Sequence, residues 1–120
     1  MNNQIEIVKK DNYLHVTVSG IFSPELSEDS IDNMVAAAKK DEFTKILFDI
    51  KPMSGEIGVL DRFESGRYGA LIIPQNFKIA MLGRNDQISP DRFFQTVVRN
   101  RGVNLKVFSE FEKAIEWLMR

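Results

Sequence analysis

The chain of 120 residues contains no cysteine and only one histidine, His15. The first absence excludes disulfides, thiolate nucleophiles and cysteine-ligated metals. The second excludes a multi-histidine metal site. An excess of charge of either sign is also missing. Sixteen Lys and Arg stand against seventeen Asp and Glu, leaving a formal charge of −1. No global field therefore draws the chain to nucleic acid or to an anionic membrane surface. No apolar run approaches the ~20 residues of a bilayer span. Met1-Asn2-Asn3-Gln4 lacks the basic and apolar regions of a secretory signal. These absences lead us to expect a cytoplasmic protein with no membrane span and no nucleic-acid partner. No Gly-rich phosphate loop or nucleophile motif is found either, so neither a cofactor nor an enzymatic activity is expected.

What is present is punctuation. A 120-residue chain with 43% hydrophobic residues suits one domain, residues 1–120, with a single core. Ile5 and Ile7, then Leu14, Val16 and Val18, alternate with polar residues on either side of Lys10-Asp11-Asn12, which reads as a hairpin. Three further strand-like segments follow, Lys45–Ile50, Phe77–Leu82 and Leu105–Phe108. Between them lie amphipathic stretches. Ser23 caps the first, with Pro24 at its first position, and Ile31, Met34, Val35 and Ala38 form its apolar stripe. The second runs from Glu56 to Ile73 with Val59, Phe63, Ala70 and Ile73 on one face. It holds Gly58, Gly66 and Gly69, which imply either close packing against the sheet or a helix that bends or moves. Ser89-Pro90-Asp91 opens the third, with Phe94, Val97, Val98 and Arg101 inward or snorkelling and Gly102 stopping it. Ser109 and Glu112 form a capping box for the fourth, whose stripe is Phe111, Ala114, Ile115 and Leu118.

Strand–helix alternation specifies an α/β domain with a largely parallel sheet. Ile46, Phe48 and Ile50 alternate with Lys45, Leu47 and Asp49, and Lys106 interrupts the last strand. One-sided patterning of this kind favours a singly wound sheet over a flavodoxin-like one. The expected fold is a five-stranded mostly parallel sheet, first strand antiparallel, order 1-2-3-4-5, with four helices packed on one face.

In this order of elements, and in Lys45-Ile-Leu-Phe-Asp-Ile50, Lys78-Ile-Ala-Met-Leu-Gly83, Val107-Phe108 and Ala114-Ile-Glu-Trp-Leu118, the chain resembles the SpoIIAA-like branch of the STAS fold, the sulfate transporter and anti-sigma-factor antagonist group. The resemblance implies a small bacterial interaction or regulatory module. In anti-sigma-factor antagonists an Asp-Ser-Ser-Gly motif at the second helix start carries a phosphorylated serine. Here the corresponding region is Met53-Ser54-Gly55, which keeps only Ser-Gly. Ser54 and Gly55 are thus a candidate phospho-switch or docking point, or Ser54 simply caps the helix.

Other candidates carry less chemistry. His15 reads as an exposed strand histidine, and Glu64 with Arg67 as a surface ion pair. Arg84 and Asn85 follow a strand at the sheet edge where open α/β folds bind ligands, a candidate anion edge or solvated loop. Leu47, Ala80 and Leu82, on a sheet face expected to be open, and Trp117 are candidates for self-association into a homodimer. The expected function is a non-enzymatic protein-interaction or regulatory module. The alternative is a small-molecule or lipid-binding protein with an apolar groove beside the second helix.

Overall fold

The computed structural model describes residues 4–120, apart from the side chains of Ile88–Asp91, Phe93 and Phe94; the expected inward position of Phe94 and any role of Met1–Asn3 lie outside the described residues. The hairpin strands β1 (Ile5–Lys9) and β2 (Leu14–Val18) are followed by a two-residue strand β3 (Gly20–Ile21). Then come α1 (Pro24–Lys40), β4 (Lys45–Asp49), a second short strand β5 (Met53–Ser54) and α2 (Val59–Ile72). The chain ends with β6 (Lys78–Leu82), α3 (Asn85–Arg99), β7 (Asn104–Phe108) and α4 (Phe111–Met119). The main sheet has the order β1-β2-β4-β6-β7, antiparallel only between β1 and β2. This is the expected consecutive order. The separate parallel pair β3-β5 was not anticipated, because two residues are too short for any periodicity to register.

Local chemistry explains most boundaries. Ser23 Oγ accepts the Leu26 N–H at 3.0 Å, Pro24 occupies the first turn, and Lys39 and Lys40 lie at the negative end of the α1 dipole. Pro74 follows the end of α2. Gly102, with φ of +93°, reverses the chain after α3 in a conformation that costs glycine nothing.

Parity across the pleat sorts the strands into two faces. Leu14, Val16, Val18, Ile46, Phe48, Ile79, Met81, Leu105 and Val107 turn to one side, where they pack with α1, with Ile73 at the end of α2 and with Val98 of α3. Leu47, Ala80 and Leu82 turn to the other, where they meet Ala114 and Leu118 of α4. The expectation of four helices on one face is therefore corrected to three, with α4 on the opposite face. The handedness rule places only helices that connect two parallel strands, and consecutive right-handed crossovers stepping one way put α1, α2 and α3 together. After β7 there is no further strand to reach, so α4 lies wherever apolar area is uncovered. Leu47 and Leu118 are both fully buried there, each contributing about 2 kcal/mol.

Three further expectations shift. The inward face of α2 is Arg62, Gly66 and Gly69, while Val59 is 68% exposed and Phe63 and Ala70 are half-buried. Of these glycines Gly69 lies against α1, where an added Cβ would stand 3.6 Å from Ile31 Cδ1, an ordinary van der Waals contact. Helix α3 begins four residues before Ser89, because Gln87 locks its first turn (below); Pro90 then falls in the second turn, where it forgoes one backbone bond. Ser109 makes no cap, as the N-cap of α4 is Glu110 and no side chain bonds there. Two residues are needed to carry the chain from β7 to the far face, which places Ser109 one position too early.

Candidate functional site

At the carboxyl edge of the sheet the β4–α2 connection folds over the start of α3. Residues 51–54 leave β4 through a turn in which Asp49 Oδ1 accepts the Lys51 N–H at 3.0 Å and Ile50 O accepts the Met53 N–H at 3.0 Å. Two side chains from the β6–α3 junction tie the connection down. Buried Gln87 donates from Nε2 to Ile50 O at 2.9 Å and to Met53 O at 3.1 Å, while its Oε1 accepts the Arg84 N–H at 2.7 Å. Arg84 donates through one terminal nitrogen to the carbonyls of Lys51 and Met53. Its Nε lies 3.1 Å from Asp86 Oδ1 and its other terminal nitrogen 3.3 Å from Oδ2. The Arg84 hydrogen bond holds the Asp86 carboxyl below its ordinary value.

Arg84 is thus committed to backbone carbonyls and to Asp86, and the anion edge expected at Arg84 and Asn85 is corrected to a clamp. Asn85 is an exposed first residue of α3. The other arginines nearby in sequence do not converge on it: Arg99 donates to Leu105 O and Arg101 to Val97 O, each at 3.2 Å. Gln87, the residue that holds the loop, was missed. Its signal, a polar residue three positions after a strand-terminating Gly83-Arg84, is a helix N3 position where glutamine reaches back to the N-cap.

The clamped loop presents Ser54 and Gly55. Ser54 is the last residue of β5, exposed and four residues ahead of the Gly58 N-cap, so it does not cap α2. Its Oγ lies 3.4 Å from Gly20 O, and its carbonyl accepts the Phe22 N–H at 2.9 Å. Gly55 turns the chain with φ of +91°, and a Cβ there would sit 3.3 Å from Ile21 Cγ2. Ile21 itself is 73% exposed. Beside these residues is a cleft of about 330 Å³ lined by Ser54, Glu56, Ile57, Arg62, Asp86 and Gln87. Beneath it, between α1, α2 and the sheet, lies a mostly apolar gap of about 40 Å³ bounded by Phe22, Phe48, Ile50 and Met81 together with Ser30 and Arg62.

The remaining candidates fall elsewhere. Leu47, Ala80 and Leu82 are buried under α4, so they offer no surface for self-association. Trp117 closes the edge of that second core, its ring 5.7 Å from Phe108 with Lys78 Nζ 4.7 Å above it. His15 is half-buried rather than exposed, and Asp49 Oδ2 lies 3.7 Å from its Nε2. The pairing follows from the parallel register of β2 and β4, which sets Thr17 beside Asp49 and leaves His15 diagonal to it on the same face. Burial pushes the Asp49 carboxyl up, but His15 and the Lys51 N–H outweigh it and the net direction is down. Glu64 and Arg67 form the expected ion pair at 3.4 Å. No helix among the described residues is long and apolar enough to cross a membrane.

No protein-family profile matches this sequence. No curated protein matches it either. Among solved structures it is similar to an anti-sigma factor antagonist from Mycobacterium paratuberculosis, with a TM-score of 0.66 at 10% identity. The match covers 97% of this chain and 93% of that one. At such low identity the likeness is one of backbone path, set by strand order, crossovers and helix placement rather than by shared side chains. The chain has the fold of the anti-sigma-factor antagonists, an α/β fold of the STAS type.

Proposed function

We propose that the chain is a non-enzymatic protein-interaction or regulatory module of the STAS type, acting in the bacterial cytoplasm with another protein as its partner. The observation that carries this reading is the likeness of nearly the whole chain to an anti-sigma factor antagonist. The site supports it in kind. An exposed hydroxyl, Ser54, stands on the loop that Gln87 and Arg84 tie down, and an exposed apolar side chain, Ile21, stands beside it on β3, which pairs with β5. Rigid presentation lowers the entropy cost of docking, and the adjoining cleft has the volume to take a partner side chain. The Ser54 hydroxyl has Gly20 O rather than a base for its neighbour, which suits modification better than nucleophilic attack. A phosphate on Ser54 adds close to two negative charges beside Glu56 and Asp86, enough to repel a partner that docks there.

The test is affinity capture from the source cell with the wild-type chain, Ile21→Glu and Ser54→Asp. A partner retained by wild type and lost by both variants supports the reading. A partner retained equally by all three, or none at any salt concentration, refutes it. Phosphopeptide mass spectrometry on protein from the same cells addresses Ser54 directly.

A second reading, a carrier of a small apolar molecule, draws on the gap beside α2. Ligand sites are typically of 300–1,000 Å³, so at about 40 Å³ α2 would have to swing outward first. Native mass spectrometry of gently purified protein decides it, a bound mass favouring the carrier and repeated absence of one removing it.

A further inference from the structure

The exposed surface of α2 is symmetric about its own midpoint. Its exposed residues are Val59, Leu60, Glu64, Arg67, Leu71 and Ile72. Two apolar residues open the helix, two close it, and an ion pair occupies the middle. Leu60 and Leu71 are 72% and 76% exposed, and Glu64 and Arg67 are each 54% exposed. A two-fold axis through the point between Ser65 and Gly66 exchanges Leu60 with Leu71, Val59 with Ile72, and Glu64 with Arg67. The spacing of Leu60, Glu64, Arg67 and Leu71 is four, three, four, which is the seam of a coiled coil.

We infer that this surface binds a second copy of the chain, α2 against α2 in antiparallel orientation. An isologous contact requires a self-complementary patch, and here the complementarity includes charge. In the antiparallel pair Glu64 faces Arg67 of the second copy, twice over, while Leu60 covers Leu71 at each end and Val59 and Ile72 flank that contact on opposite sides of the helix. A parallel pair would set Glu64 on Glu64 and Arg67 on Arg67, so the central charges select orientation and register as well as partner. Inside one chain the two side chains already lie 3.4 Å apart, and the second copy completes a four-membered network. The 14-residue helix is about 21 Å long. Such a contact is at the small end of specific interfaces, so the dimer is expected to be micromolar or weaker. This inference is independent of the partner reading, whose residues Ile21 and Ser54 lie off the stripe.

The experiment is sedimentation equilibrium of the full chain up to about 1 mM, for wild type, Glu64→Arg, Arg67→Glu and the double swap. Each single reversal sets like charges face to face at both central contacts and should weaken self-association by about tenfold or more at low salt. The double swap restores opposite charges and should dimerise like wild type. An equimolar mixture of the two single variants should form a heterodimer, because every central contact is then between opposite charges. A circular dichroism spectrum unchanged in each variant confirms that the fold survives. Wild type that stays monomeric at all concentrations overturns the inference. So does a dimer that the single reversals leave intact, or one that neither the double swap nor the mixture restores.

Discussion

Replacing Gln87 by alanine tests whether the clamp holds the loop that carries Ser54. The substitution deletes hydrogen bonds at 2.7, 2.9 and 3.1 Å from a side chain only 7% exposed. The loss is partly cushioned. Ile50 O keeps the Met53 N–H at 3.0 Å, and Met53 O keeps Arg84 at 3.0 Å, so the Arg84 N–H is the one group left without its partner. At about 1 kcal/mol net per bond, the expected cost is about 3 kcal/mol. For a domain of this size that lowers the melting temperature by about 10 °C. Gln87→Leu retains most of the volume and loses the same bonds, so it should cost nearly as much. Asn85→Ala, an exposed neighbour on the same turn, should stay within about 0.5 kcal/mol. Urea unfolding gives the global cost. Hydrogen exchange at the Met53 amide should speed up with it, since the turn that protects it opens more often. A Gln87→Ala protein as stable as Asn85→Ala, or one whose Met53 amide exchanges as slowly as in wild type, would refute the reasoning.

Four other outcomes follow from contacts described above. Leu47→Ala should cost about 2–5 kcal/mol in urea unfolding, as a fully buried core leucine does; a cost under about 1 kcal/mol would mean that α4 does not cover that face. Gly69→Ala should be neutral or stabilising by up to about 1 kcal/mol, because the added methyl would meet only side-chain tips, Ile73 Cδ1 at 3.4 Å and Ile31 Cδ1 at 3.6 Å; clear destabilisation would show that the two helices cannot yield. The folded-state value of Asp49 is depressed below 3.8, so its contribution to stability is present above that pH and fades as pH falls through the folded value. Asp49→Asn should flatten the acid limb of stability against pH, and an unchanged limb would count against the His15 contact. The Asp32 carboxylate, 2.6 Å from the Tyr68 hydroxyl, holds that phenol up at about 12, and Asp32→Asn should bring its ultraviolet titration down toward the ordinary range.

How far the sequence foretold this molecule depends on what each residue's surroundings had to be. Strand order and the shared face of α1, α2 and α3 were legible, because period-two alternation and a one-handed crossover leave few alternatives. The face taken by α4 was not. Lys45, Lys78 and Lys106 read as marks of a wet face, yet Leu47, Ala80 and Leu82 lie on that same side and form half of a second core. Polar and apolar residues share that face in patches, and whether the apolar patch is covered depends on a helix free of any crossover constraint. Loop geometry was legible only where one residue dictates it, as with Gly102. The clamp needed the meeting of Gln87 with carbonyls thirty-four and thirty-seven positions earlier, and backbone carbonyls carry no sequence signal. The same reasoning bears on Ser54. Reading it as a cap assumed that α2 begins where the Ser-Gly pair lies, whereas β5 pairs with β3 and delays the helix to Val59. The serine thereby loses its duty as a cap, and its exposed hydroxyl is left with one long backbone contact among the described residues, to Gly20 O at 3.4 Å.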